Sequence, residues 1–291
     1  MTAANLSDVL RPAMREGYAV AGLVVLGWED ARAYVEAAEE TGIPIILQAG
    51  PGCRKHTPVP VLGKMFRALA DSVRVPVVCH IDHAYAAEEC FEGIDCGFTS
   101  VMIDGSKLPI AENIALTRRV VERAKPTGVS VEGEVGRVGY VNGASSETTS
   151  PEEARRFDAE SGADALAVSV GNVHLSTEKT TGIDFEALGA IERVTRLPLV
   201  LHGGSGIPIE VRRKLARESR VCKFNLGTEL RLAFGRALRK SLAERPESFD
   251  RIEILSSTIA PLRAATREII AALRHPAQDS RFSSSSIGAA S

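Results

Sequence analysis

Val75-Pro76-Val77-Val78-Cys79-His80-Ile81-Asp82-His83 is a short apolar run that ends in two histidines and a carboxylate. Two more runs end the same way: Ala165–His174 (ALAVSVGNVH) and Leu197–His202 (LPLVLH). An apolar run of this length reads as a buried strand, and the carboxyl end of such a strand is where α/β proteins place their chemistry. His83, His174 and His202, delivered to one such end, make a metal site with an open fourth position. Within the first run alternate residues share a face, so His80 and Asp82 point the same way and His83 lies at the turn.

Working outward, the apolar runs recur with a regular partner. Runs at 19–26, 43–49, 75–81, 98–103, 129–135, 164–170, 197–202 and 221–226 are rich in Val, Ile and Leu and nearly continuous in apolar character, as parallel strands covered on both faces are. Helical periodicity lies between them, at 29–41, 59–72, 86–95, 110–124, 151–161, 185–195 and 209–219. Eight strands, each followed by a helix, predict a TIM (β/α)8 barrel. A doubly wound sheet is the alternative, but no G-x-G-x-x-G follows the first run. Two helices, at 228–243 and 256–273, follow the eighth run. A barrel needs one, so the second reads as a C-terminal extension and a dimer element. Residues 1–275 are expected to form one barrel domain with an N-terminal amphipathic helix, and 276–291 (ending RFSSSSIGAAS) a disordered tail.

Composition narrows the function. The 291 residues are 44% hydrophobic with a formal net charge of −2, which suits a large core and carries no nucleic-acid footprint. The apolar stretches are strand-length, well short of a membrane span, and the first residues lack a signal-peptide apolar region. Five cysteines without zinc-ribbon spacing read as free thiols in a reducing cytoplasm.

The strand ends carry the chemistry. His202-Gly203-Gly204-Ser205-Gly206 is a glycine-rich turn leading into a helix, which leaves backbone N–H groups free to cradle phosphate. Asn225-Leu226-Gly227-Thr228, after the eighth run, adds an amide, a glycine and a hydroxyl at the same corner. Glu132 and Glu134 share a face at the end of VEGEV, and Asp104 ends the fourth run. Buried carboxylates need a partner, so these read as metal-linked groups or as partners of basic residues at the barrel rim. Arg54-Lys55-His56 form a basic cluster after the second run, either a solvated loop or a clamp for a distal phosphate or carboxylate.

Taken in order, IDHA, SVMIDGS, VEGEVG, GNVH, LVLHGGSG and KFNLGT resemble the class II, zinc-dependent ketose-bisphosphate aldolases, the fructose- and tagatose-bisphosphate group. The similarity runs from the first helix to the last. It implies a catalytic Zn²⁺ on His83, His174 and His202, acting on the hydroxy-ketone oxygens of dihydroxyacetone phosphate and stabilising its enediolate. It also implies that Asp82 handles the proton on the aldehyde oxygen and that Asn225 hydrogen-bonds the enediolate. Gly203, Ser205 and Thr228 would bind the C1 phosphate beside a Na⁺ or K⁺ ion, with Gly204 and Gly227 shaping that corner. Glu134 and Asp104 match an alternative buried metal position. Arg263 resembles an arginine that reaches a substrate phosphate, sometimes across a dimer interface. A homodimer or homotetramer is implied.

The departures are specific. The family carries Gly-Gly-x-Glu-Asp after the fifth strand, whose glutamate removes the substrate proton; here 136–143 reads GRVGYVNG. Glu147 is the only carboxylate between Glu134 and Glu152 and is the candidate replacement. The family's Ala-Phe-Asn at the first strand is Gly22-Leu23-Val24, Gly50 replaces a serine or threonine, and Leu175 replaces a glycine after the second metal-site histidine. These changes predict a sugar or sugar-acid phosphate other than fructose bisphosphate. Two other readings remain open: a catalytically silent paralogue that binds a sugar phosphate for regulation, and another metal-dependent lyase or hydrolase on the same barrel. The second lacks His-x-His after its first strand.

Overall fold

The computed structural model describes residues 3–141, 143, 145–179 and 182–274. The expected disordered tail lies outside the described residues. A two-residue strand, β1 (Ala3–Ala4), and helix α1 (Leu6–Glu16) precede β2 (Val20–Val24), α2 (Trp28–Thr41), β3 (Ile45–Ala49), α3 (Pro51–His56) and α4 (Val59–Asp71). β4 (Val77–Ala84), α5 (Ala87–Asp95), β5 (Ser100–Ile103), α6 (Ile110–Ala124), β6 (Ser130–Val135) and α7 (Pro151–Ser161) follow. β7 (Ala165–Val168), α8 (Phe185–Glu192), β8 (Leu199–Leu201), α9 (Ile209–Glu218), β9 (Val221–Leu226), α10 (Thr228–Glu244), α11 (Arg251–Ser256) and α12 (Ile259–Ala272) complete it.

Strands β2 to β9 pair in parallel in chain order, and β2 also pairs with β9, so the sheet closes into an eight-stranded barrel ringed by helices. This is the TIM barrel expected from the alternation of runs. α3 and α11 were not anticipated: at six residues each they are too short to show a period. The C-terminal extension α12 lies along α2, and Leu273 O accepts from Ala19 N at the foot of β2.

The barrel interior changes character along its length, and that change positions the site. Period-two alternation sends Val78, His80 and Asp82 of β4 to one face. At the lower level Val20, Ile46, Val78, Met102, Ala165, Ala167, Val200 and Cys222 form one apolar cluster with Leu6, Val9, Leu10 and Ala13 of α1. α1 is therefore a plug for the barrel floor. Its start is fixed by a reciprocal Asn5–Asp8 capping box and its end by left-handed Gly17. Burying each of its larger aliphatic side chains contributes roughly 1.5–3 kcal/mol. One level higher the interior becomes polar: Gln48, His80, Ser100, Glu132, Glu134, His202, Lys223 and Asn225 are all buried. A register shift between β8 and β9 moves the partner of Val200 to Lys223, past Cys222. Cys222 can then fill the apolar floor while Lys223 reaches the polar level.

Among the described residues no helix is long and apolar enough to cross a membrane.

Candidate active site

β4 ends in a strained turn. His83 has φ 50°, a left-handed backbone unusual for a non-glycine residue. It breaks the alternation that would send Asp82 and His83 to opposite faces, so both line the same cavity. Arg54 holds this turn. Its guanidinium donates to Ala49 O (2.6 Å), Asp82 O (2.6 Å) and His83 O (3.0 Å), and pairs with Glu89 at 2.8 Å. That engagement replaces the expected distal clamp: Arg54 faces backbone carbonyls, and Lys55 is exposed outside the cavity.

Asp82 is held from two sides. Gln48 Nε2 (2.9 Å) and Asn225 Nδ2 (3.2 Å) both donate to its Oδ1. Gly22 makes this possible, since a Cβ there would lie 1.8 Å from Gln48 Oε1. Burial raises the cost of ionising Asp82, but the facing His83, His202 and Lys223 outweigh it and hold the carboxyl below its ordinary range.

Three imidazoles converge beside it. The ring centroids of His83, His174 and His202 lie 4.5 to 5.7 Å apart. His83 Nδ1 donates to Asp104 at 2.9 Å, and His202 Nε2 donates to Glu132 at 3.1 Å. These bonds assign the tautomers and leave His83 Nε2 and His202 Nδ1 facing each other at 2.7 Å. Two lone pairs at that distance require a cation or proton between them. Burial favours a neutral His83, yet Asp82, Asp104 and Glu134 push its pKa up to about 9. Burial and that neighbouring charge depress His174 to about 4 and His202 well below the ordinary range.

A divalent cation fits this donor set. One ligand atom from each of His83, His174 and His202 lies within 4.8 Å of the others, and so do those of His83, Asp104 and Glu134. Asp82, Asp104, Glu132 and Glu134 surround the cluster, and among the described residues Lys223 is the buried cation inside the barrel that offsets them. Glu134 Oε2 is buried without a hydrogen-bond partner, and burial with Asp104 nearby pushes its carboxyl up to about 8. Beneath, Lys223 Nζ donates to Glu132 Oε2 at 2.7 Å, forming a fully buried pair that also anchors His202. Removing one member of such a pair costs about 3–5 kcal/mol, because the other charge stays buried. His80 bonds Ser100 and lies below the cavity, outside both donor groups.

The glycine-rich corner adjoins His202. Gly203 adopts φ 66°, and a Cβ on it would lie 2.0 Å from Val173 O. Ser205 Oγ accepts from Gly227 N (3.2 Å) and Glu229 N (3.4 Å) at the start of α10. Backbone donors and a helix N-terminus thus meet at the β8 and β9 ends, as anion sites require. Gly203, Ser205, Gly227 and Thr228 line the cavity with Asp82, His83, His174 and Asn225; its volume is about 270 Å³. Gly204 sits behind them, against Asn225 O.

Besides Arg54 and Lys55, two further expected residues lie elsewhere. Glu147 forms a backbone bridge with Arg137, and its side chain is 66% exposed, 3.7 Å from the Arg137 guanidinium. Arg263 pairs with Glu36 and Glu40 of α2. Both fall outside the cavity lining because loop and helix geometry carries them to the rim and the outer face. Glu147→Gln is accordingly expected to change α-proton exchange of dihydroxyacetone phosphate by less than about fivefold, since a surface pair is worth at most ~1 kcal/mol. A hundredfold loss would return the residue to the reacting centre.

The cavity and support residues that were not anticipated include Gln48, Tyr85, Tyr140, Lys223 and Arg231. Gln48 had a signal, a lone amide inside the apolar strand IILQA. Tyr140 stacks on His174 with centroids 4.8 Å apart, and its loop is stitched to His174 by Gly139 O and Val141 N. Leu175 takes φ 59°, so the family's glycine at this position matches a left-handed backbone that costs leucine about 1–2 kcal/mol.

A profile of the class II fructose-bisphosphate aldolases matches residues 4–277. The chain belongs to that family. It is an aldolase, a carbon–carbon lyase. Among solved structures this aldolase is similar to the YdjI aldolase of Escherichia coli K12, with 28% identity, TM-score 0.80, and coverage of 93% of this chain and 97% of that one. A Coccidioides immitis protein assigned as a fructose-1,6-biphosphate aldolase matches at 26% identity and TM-score 0.81, covering 94% and 97%. The fructose-bisphosphate aldolase of Campylobacter jejuni, at 23% identity, TM-score 0.77 and coverage of 92% and 93%, supports the fold alone.

Proposed function

We propose that this aldolase cleaves and forms a phosphorylated ketose through the enediolate of dihydroxyacetone phosphate, with Zn²⁺ on His83, His174 and His202. The observation that carries the reading is Asp82, fixed by Gln48 and Asn225, beside three convergent imidazoles and a glycine-rich anion corner in one cavity. Bound there, zinc supplies Lewis acidity toward the hydroxy-ketone oxygens and so stabilises negative charge on the three-carbon fragment.

The chain's own residues do the rest. Gly203, Ser205, Gly227 and Thr228 hold the C1 phosphate at the start of α10, with a monovalent cation beside them as the resemblance implies. In cleavage Asp82 takes the proton from the C4 hydroxyl. The C3–C4 bond then breaks, its electron pair remains on C3, and the departing carbon becomes the aldehyde. Asn225 donates to the oxygen of the three-carbon fragment; a solvent proton delivered to C3 completes dihydroxyacetone phosphate, and Asp82 returns the C4 hydroxyl proton to solvent. Asp104 and Glu132 fix the imidazole tautomers of His83 and His202. Glu134 with Asp104 offers the alternative buried metal position.

The test is exchange of the α-proton of dihydroxyacetone phosphate into deuterated water. Zinc-loaded protein is expected to exchange it, and chelation to stop the exchange. No exchange with stoichiometric zinc bound would overturn the reading. The apo pKa of His83 adds a pH signature. Its raised value means that zinc displaces a proton below about pH 9, so affinity climbs up to about tenfold per pH unit and levels off above that. Calorimetry in buffers of different ionisation enthalpy reads the released proton directly; pH-independent affinity between 6 and 8 would contradict the ligand role of His83.

A further inference from the structure

The loop between β6 and α7 holds one carboxylate, Glu147, and it faces outward beside Arg137. None of the loop's acids can therefore carry the proton that C3 gains in cleavage and loses in condensation. The side chain this loop does send in is Tyr140, which lines the cavity with Asp82, His83 and His174 and is 44% exposed. It stands between the reacting centre and solvent. Its ring stacks on His174 with an interplanar angle of 26°.

The backbone fixes the tyrosine in that place. Tyr140 and His174 form a parallel bridge, in which His174 N donates to Gly139 O (2.8 Å) and Val141 N donates to His174 O (3.2 Å). Behind it the loop is closed by the Arg137–Glu147 bridge and by Gly139 N donating to Ser146 Oγ at 3.0 Å. One loop geometry thus turns the Glu147 carboxylate outward and presents Tyr140 to the cavity.

The other protic groups of the cavity are committed elsewhere. Asp82 serves the C4 hydroxyl, Ser205 and Thr228 belong to the phosphate corner, and the Arg231 guanidinium stays protonated. Cys53 is buried away from solvent. The remaining phenol is Tyr85, whose ring lies under Lys107 Nζ at 5.5 Å rather than against an imidazole. Among the described residues the Tyr140 hydroxyl has no hydrogen-bond partner, which leaves it to water and substrate. Burial raises this phenol, as do Asp82, Glu134 and Asp104, while Arg231 lowers it. The carboxylates of the site act on that oxygen, and it keeps its proton near neutrality.

We propose that the Tyr140 hydroxyl carries the proton between solvent and C3 of the three-carbon fragment. The inference rests on the aldolase reading above and adds a catalytic residue to it. In cleavage the C3–C4 bond breaks first and leaves its electron pair on C3. That pair takes the phenol proton: the Tyr140 O–H bond breaks as the C3–H bond forms. A solvent proton arriving at the exposed side restores the O–H bond in the same relay, so no phenolate accumulates. One solvent proton enters through Tyr140, one leaves through Asp82, and the count closes. Condensation and α-proton exchange run the same path in reverse. A phenol suits this task because it donates and accepts through one oxygen, and stacking with backbone bonds preorganises it.

Tyr140→Phe keeps the ring, the stack and the bridge and removes only the relay oxygen. The test uses zinc-loaded wild type, Tyr140→Phe and Tyr85→Phe. Exchange of the α-proton of dihydroxyacetone phosphate into deuterated water is measured first. Cleavage is then followed on the ketose 1-phosphate that the wild type forms from dihydroxyacetone phosphate and glyceraldehyde, with hexacyanoferrate(III) present to oxidise the enediolate before C3 is protonated. Zinc content and calorimetric affinity for phosphoglycolohydroxamate, an enediolate analogue, complete the set. Tyr140→Phe is expected to lose about 10²- to 10⁴-fold in exchange, the range for a positioned acid–base group. Oxidant-trapped cleavage should fall far less, because the carbon–carbon bond breaks before the proton is needed. Analogue affinity in Tyr140→Phe and exchange in Tyr85→Phe should each change by less than about tenfold, the worth of one hydrogen bond. Exchange in Tyr140→Phe that stays within that margin overturns the proposal. So does an equal fall in exchange and trapped cleavage, a loss of zinc or of analogue binding, or a larger exchange loss in Tyr85→Phe. Any of these beside normal wild-type exchange sinks the relay alone, whereas silent wild-type exchange with zinc bound sinks the aldolase reading with it.

Discussion

Replacing His202 by alanine is expected to abolish stoichiometric zinc binding and aldol turnover together. Its Nδ1 sits 2.7 Å from His83 Nε2, at the centre of the donor set. Losing even an outer partner of a metal ligand typically costs 10- to 100-fold in affinity, so loss of the ligand itself is expected to exceed about 100-fold. The variant should still fold, because Lys223 remains to pair with Glu132 after the imidazole is gone. Metal analysis of the purified variant, with thermal melting as the control for folding, checks both parts. Retention of zinc and full activity would refute the ligand assignment.

Asp82→Asn should keep zinc and lose cleavage. Asn is isosteric, and its carbonyl oxygen can still accept from Gln48 and Asn225, so the cavity keeps its shape. What it cannot do is take the C4 hydroxyl proton. A positioned acid–base group is worth about 10²- to 10⁴-fold, and kcat for cleavage is expected to fall by that amount. Proton exchange of dihydroxyacetone phosphate involves no aldehyde oxygen and should fall much less. Equal losses in the two assays would assign Asp82 to the C3 proton instead, and an unchanged kcat would remove it from the chemistry.

Where sequence reading succeeded, the relevant physics is local. A continuous Val/Ile/Leu run bounded by turn residues is a strand whichever neighbours it finds, and its last residues lie at the carboxyl rim of whatever parallel sheet forms. This is why His83, His174 and His202, and the glycine-rich turn at Gly203, were legible from their positions alone. The same holds for α1, whose period and caps are contained within a few turns.

Where it fell short, contact was the missing quantity. Arg54 and Arg231 are both arginines just beyond strand ends, and nothing local separates them. One is drawn inward because the left-handed turn at His83 presents carbonyls to it; the other is left facing the cavity by the face of α10 on which it lies. Glu147 looked like the only available base because linear spacing cannot show that its strand-like bridge to Arg137 turns the carboxylate outward.

The three histidines, the βα alternation and the family to which the chain belongs could be read residue by residue, because each depends on short-range pattern. Barrel closure decided the rest. Pairing β2 with both β3 and β9 set Gly22 beside Gln48 and Asn225, and so gave Asp82 its two supports. The register shift at β9 carried Lys223 up to Glu132, 91 residues away in the chain. Such meetings depend on which strands become neighbours and in what register, and no window along the sequence contains that information.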